Sequence, residues 1–343
     1  MLRRSRKLRG GPKSFDPTRL VHLNAHTRKS LKATSDRRLI LELPASLDFE
    51  ANYEATVSHF SALREATQSA RRLSSLKFDH LRHISPAAAL VLASEVDRWN
   101  HRVGRRLKAA VESWDKAIAR LLCQMGYFEL LGIERPLEVP DSETLTFLRF
   151  KRGDPGDRDA GKLAQQLRLE IEACVGFGIQ KHFLFEGLSE AITNVCQHAY
   201  PVANNFPMQN WWLSASYDRQ SRELCVIFYD QGAGIPCTLP TRWKSFELVK
   251  VIFNTWTDSQ KIEAAMEVGR SSSGRAERGK GLQNLVEFAK THREGRLSIY
   301  SLQGMYRLHS KRQSPDTDPL TTTERQDHQN SIGGTLIEWS VKL

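Results

Sequence analysis

At 343 residues the chain is long enough for two domains that each bury a core. With 40% hydrophobic and 26% charged residues it has the balance of a globular protein, and no apolar run approaches the roughly 18 residues of a membrane helix. Nearly all of the net charge of +11 sits in residues 1–38, where twelve Lys or Arg face only Asp16 and Asp36. The start lacks the apolar core of a secretory leader, and the five cysteines (123, 174, 196, 225, 237) form no CxxC pair. They read as reduced thiols of a cytoplasmic protein without a structural zinc site. Residues 1–36 read as a disordered basic arm. Contact with nucleic acid through it is the less favoured reading, because no aromatic interleaves the first basic cluster, "MLRRSRKLRG". An Arg-rich, acid-poor start also mimics an organelle transit peptide.

In chain order, "RRLILELP" (37–44) predicts a strand and "FEANYEATVSHFSALREATQSARRL" a helix. "LKFDHLRHISP" predicts a second strand and a turn, and "AAALVLASEVDRWNHR" a helix opening just after Pro86. "RRLKAAVES" (105–113) predicts a third strand, and the helical pattern after it stops near Gly126 or Gly132. Alternating strands and helices make 37–150 an α/β unit. The Gly/Asp/Pro cluster within 145–161 marks the expected domain boundary. Helices over 162–175 and 180–199, strands over 211–218 and 223–232, and a helical region follow. A Gly/Ser/Arg-rich stretch (269–281) leads into helix "LQNLVEFAKTH", and alternating strands end the chain around a polar insert (313–331) that reads as a disordered hairpin loop.

"SEAITNVCQHAY" (189–200) sets Glu190, Asn194 and His198 four residues apart, on one stripe of a helix whose other face is apolar. Such a stripe alone is usually a solvated face. Three later segments change its meaning. "VIFYDQGAGIP" places Asp230 at the end of an apolar strand, followed by Gly232 and Gly234. Glycines there let backbone approach a flat ligand, and one acid can accept from an exocyclic amine. "RGKGLQNL" puts Gly279, Lys280 and Gly281 before a helix, where free N–H groups suit phosphate. "GGTLIEW" brings Thr335 into a strand behind two glycines.

In this order the four boxes resemble those of the GHKL ATP-binding fold, over residues 160–343. That resemblance implies a C-terminal Bergerat-type two-layer α/β sandwich with a mixed sheet, binding ATP and Mg²⁺. It implies Glu190 as catalytic base, Asn194 as metal ligand and His198 as a basic residue near the phosphates, unless His198 simply caps or packs. It further implies Asp230 on the adenine amino group with Gly232 and Gly234 beneath the ring, Thr335 on the adenine side, Gly279 and Gly281 in the phosphate loop, and 269–281 as lid. Arg275, Arg278 and Lys280 meet phosphate charge there or form a solvated basic loop. "SEAITNVCQHAY" is most similar to the first box of anti-sigma serine kinases.

The element order of 37–150, and "FDHLRHISPAAALVLASEV" in it, resembles a STAS domain, the fold of anti-sigma-factor antagonists; another small α/β domain is the alternative. That family's turn reads Asp-Ser-Ser-Gly with the first Ser phosphorylated. Here Ser85-Pro86-Ala87-Ala88 stands at the match, so Pro86 replaces the phosphoacceptor and the half is expected to be a degenerate docking module. Together the resemblances imply Mg-dependent phosphoryl transfer to a protein Ser/Thr or to water, in partner-switching signalling. A regulatory protein is the expected partner, and a homodimer is an option. The alternatives are a conformational ATPase, or a nucleotide-binding pseudoenzyme, with the basic arm on nucleic acid.

Overall fold

The computed structural model describes residues 31–33, 39–68, 73–133, 144–154, 156, 159–178, 181–201, 206, 208–242, 255–271, 281–314 and 317–343. All five cysteines are free, and among the described residues no helix is long and apolar enough to cross a membrane.

The N-terminal half opens with strand β1 (Leu31–Ala33), antiparallel to β2 (Leu39–Glu42). Part of the stretch read as a disordered arm is therefore a strand; residues 1–30 and 34–36 lie outside the described residues. A two-residue strand, β3 (Ser46–Leu47), leads into helix α1 (Tyr53–Gln68), after which β4 (Leu73–Lys77) pairs parallel to β2. Strand β5 (His83–Ile84) runs parallel to β3 and ends at helix α2 (Pro86–Val103). Ser85 caps α2 by accepting the Ala88 N–H at 3.3 Å, Pro86 takes the first turn, and Gly104 ends it in the left-handed region. The third strand expected over 105–113 does not form: Lys108 makes one bridge to Ser75, and Val111–Ser113 is a 3₁₀ turn. Leu107 alone of that segment is fully buried, Ala109 and Val111 pack only partly against the core, and Arg105, Arg106 and Lys108 stay exposed, so little burial holds a ladder there. Helices α3 (Lys116–Met125) and α4 (Tyr127–Leu131) stop at Gly126 and Gly132, as expected from their sequence.

Strand β6 (Leu145–Gly153) comes from the segment read as a domain boundary, but it pairs with β7 (Trp211–Asp218) as an edge of the C-terminal sheet. Helix α5 (Ala160–Val175) and helix α6 (Lys181–Asn194) lie between them, and β8 (Glu223–Asp230) follows β7. Next come α7 (Ile235–Arg242), α8 (Asp258–Ser271), α9 (Gly281–Thr291), β9 (Glu294–Ser301), β10 (Gly304–Lys311), β11 (Leu320–Asp327) and β12 (Thr335–Lys342). The sheet order is β11-β10-β9-β12-β8-β7-β6.

Two expectations are corrected here. All six pairings of this sheet are antiparallel, so it is not mixed. The insert 313–331 holds β11, whose eight residues are all exposed. It carries no apolar alternation to read, and its backbone ladder to β10 holds it. The helices of the C-terminal half cover one face of the sheet, and the N-terminal half covers the other. Phe228, Ile337, Trp339 and Leu213 face α5, α6, α8 and α9, whereas their neighbours Tyr229, Leu336 and Trp212 join one core with α1 and α2. Helix α2, "PAAALVLASEVDRWNHRV", lies between its own small sheet and the large one and is buried nearly all round, which is why its first three turns lack a polar face.

Candidate functional site

Helix α6 buries Leu184, Leu188, Ala191 and Ile192 under the sheet, which leaves Glu190 and Asn194 on its partly open side. The Asn194 Nδ2 donates to Glu190 Oε1 at 2.8 Å, so the amide oxygen is the atom that this bond does not engage. Beyond Asn194 the helix widens into a π turn, Val195–Ala199, a distortion that recurs at functional sites. Its last residue makes a tertiary contact. The Ala199 carbonyl accepts the Ala233 N–H at 2.7 Å, and the Tyr200 hydroxyl accepts the Gln231 N–H at 3.2 Å. The helix end is thereby tied to the turn after β8. Gly232 is required at that contact, because a Cβ would lie 2.4 Å from the Ala199 carbonyl oxygen.

Asp230 ends β8 opposite Thr335 of β12 and is 5% exposed. Burial pushes its carboxyl up to about 7, against the backbone N–H bonds from Gly232 and Thr335 that favour the charge. Gly334 allows the close approach of β12 at this point: its φ is +132°, and a Cβ would sit 2.0 Å from the Asp230 carbonyl oxygen. The Thr335 hydroxyl lies 3.0 Å from that of Ser301.

Asn194, His198, Asp230, Gly234 and Thr335 line one cavity, floored by Phe228 and Ile337. Glu190 sits one turn back along α6, outside the lining, and Gly232 acts through the Ala199 contact. Gly281 is the first residue of α9, which packs against α6. Gly279, Lys280, Arg275 and Arg278 lie outside the described residues, as does most of the expected lid. The cavity measures about 50 Å³. That is room for a water or two, against the roughly 300 Å³ or more of an ordinary ligand site. Ile235 and Thr238 of α7 and Ala265 of α8 complete its lining.

The donor set fits a hard cation bound chiefly by a ligand's phosphates. Among the described residues no group of three His, Cys, Asp or Glu is placed to hold a metal. Mg²⁺, however, takes one or two protein oxygens and completes its shell from phosphate and water. The Glu190–Asn194 pair offers such oxygens.

Two other cavities lack this chemistry. A groove of about 650 Å³ at the far end of the sheet is lined by charges that are already paired, Glu294 with Lys342 and Lys311 across it, and Arg296 with Glu338 beyond its lining. A cleft of about 250 Å³ lies between Ser85–Pro86 and the sheet face bearing Tyr300 and Glu338. Ser85 is therefore on the opposite side of the sheet from Asp230 and Asn194, with its hydroxyl engaged as a helix cap.

Sequence reasoning missed Gln231, Arg64, Glu95 and Arg98. A signal was present: Glu95 interrupts the apolar run "AAALVLAS", and a carboxylate there needs a buried partner. No family model matches the chain, and no curated protein is significantly similar to it.

Proposed function

We propose that this chain binds ATP with Mg²⁺ in the cavity between α6 and β8 and directs its γ-phosphoryl group to a protein Ser/Thr hydroxyl or to water. One observation carries the reading. Segments 194–198, 230–234 and 335, far apart in sequence, meet at one cavity with a buried carboxylate at one end and an amide and an imidazole at the other. In this reading Asp230 accepts from the purine amino group, and Thr335 adds a hydroxyl beside it. Asn194 would supply an oxygen to the cation, which would neutralise phosphate charge. Glu190 takes the proton of the attacking hydroxyl as the new P–O bond forms and the bond to ADP breaks. His198 adds a donor near the phosphates.

The test is calorimetric titration of the whole chain with ATP, with and without Mg²⁺. Saturable, Mg²⁺-dependent binding is expected, weakened about tenfold or more by Asp230→Asn, since a hydrogen bond to a charged group is being lost. Absence of binding by the native chain overturns the reading. Transfer from labelled ATP to a protein acceptor, or release of phosphate, is then expected to vanish in Glu190→Ala while binding persists.

A second reading, nucleotide binding without transfer, is favoured by the position of Glu190 outside the cavity wall and bonded to Asn194. Binding with neither labelled acceptor nor released phosphate selects it. In either case the chain would act as an ATP-dependent regulator of a protein partner.

A further inference from the structure

Two loops flank the candidate pocket, 231–234 after β8, whose Gly234 lines it, and 328–334, which leads into its Thr335, and the N-terminal half grips both. Helix α1 holds the second loop. Glu54 accepts the Gln329 N–H at 2.7 Å through one oxygen and the Asn330 side-chain amide at 2.7 Å through the other. Arg64 donates to the Ile332 carbonyl at 2.8 Å. Helix α2 holds the first loop. Arg98 Nε donates to Gln231 Oε1 at 2.7 Å, and Gln231 Nε2 donates to Ser94 at 3.1 Å and to Glu95 at 3.3 Å. The two grips are joined, because fully buried Glu95 pairs with Arg64 at 2.7 Å and lies 3.2 Å from Arg98.

Alternation along the chain sends the Asp230 and Gln231 side chains to opposite faces. Asp230 lines the cavity; Gln231 makes its side-chain bonds to α2. A shift of α2 against the sheet therefore reaches the purine-reading carboxylate through a single peptide unit. Apolar contact holds two halves together as well as a buried ion pair does; what the charged groups add is direction.

We propose that the N-terminal half is a clamp that sets nucleotide affinity, with Arg64, Glu95 and Gln231 as positioning residues for the purine end. The proposal rests on the nucleotide reading above. Clamp and nucleotide are coupled in both directions: whatever displaces α2 weakens purine binding, and bound purine resists that displacement.

Three full-length variants test it: Gln231→Leu, Arg64→Met, which leaves Glu95 paired with Arg98, and Arg152→Met as a control. The control breaks the Arg152–Asp97 pair, at 3.0 Å in the same interface, and touches neither loop. In nucleotide-free protein, hydrogen exchange at Gly232, Ala233 and Thr335 is expected to quicken in the first two variants only. Adenosine should bind on the order of tenfold more weakly to those two, with Mg-tripolyphosphate unchanged within about twofold. Unchanged exchange at the loops overturns the clamp, as does equal weakening of both probes in all three variants. If the native chain binds no adenosine, the nucleotide reading and the affinity claim fall together; exchange then decides the clamp alone, quickened loops upholding it and unchanged loops ending it.

Discussion

Asp230 is a carboxyl group kept from water at the end of a strand, and its physics yields two predictions. Its folded value of about 7 lies above its ordinary 3.8, so between about pH 4 and 7 the folded state holds a proton that the unfolded state has lost. Stability from this group is therefore complete below pH 4, falls as pH rises, and is gone above 7. Asp230→Asn removes that penalty. Urea unfolding should show the variant gaining on the native chain between pH 4 and 8, by at most about 4 kcal/mol. A pH-independent difference would mean that the carboxyl is not desolvated. The second prediction concerns ligand: an amine donor favours the ionised form, so ATP affinity should fall from pH 8 to 6 in the native chain and stay flat in Asp230→Asn. At the neighbouring turn, Gly232→Ala drives a methyl into the Ala199 carbonyl and should cost about 1–3 kcal/mol by denaturant titration, because backbone rather than a pliable side chain must give way.

Among the elements, α6 and β11 show how much of a segment's form is set by what it touches. Helix α6 keeps regular spacing while its apolar residues meet the sheet, then widens where the Ala199 carbonyl bonds to the Gly232 turn instead of continuing the helix pattern. His198, in that widened turn, lines the cavity with Asn194. β11 is the reverse case. It buries no side chain, and the Asp327 bonds to Ser259 and the Glu324 pair with Arg307 pin it at few points. Its ladder should open first. Native-state exchange is expected to protect β8 and β12, paired on both edges and buried on both faces, far longer than β11. Comparable protection in β11 and β12 would contradict this.

The two halves share a core, because Trp212, Ile227, Tyr229, Tyr300 and Leu336 of the sheet belong to the same cluster as α1 and α2. Unfolding followed by tryptophan emission and by far-ultraviolet circular dichroism should give one coincident transition; two separated transitions would mean that the halves hold independently. Glu95→Ala strands Arg64 and Arg98 in that interface without their carboxylate. It should cost about 3–5 kcal/mol, the range for breaking a buried pair, measured as a shift in urea midpoint. The same packing places Ser85 across the sheet from the candidate pocket, so any phosphoryl acceptor belongs to another molecule or another segment.

Much of this was legible in the residues. Pro86, Gly126 and Gly132 mark helix ends because capping is local chemistry. Asp230, Gly234 and Thr335 could be picked out because a strand running into a glycine turn is a local pattern, and Asn194 and His198 because helical spacing is. The rest depended on partners far along the chain. Apolar alternation reports that a strand is buried but not which neighbour it pairs with, so the antiparallel order was out of reach, and fully exposed β11 left no pattern at all. The end of the π turn is tied to residue 233, and Arg64, Glu95 and Gln231 meet only because α1 and α2 cover the second face of the sheet. Propensity and periodicity act within one element, whereas the packing of layers is settled by long-range burial and hydrogen bonding, which only the folded chain brings together.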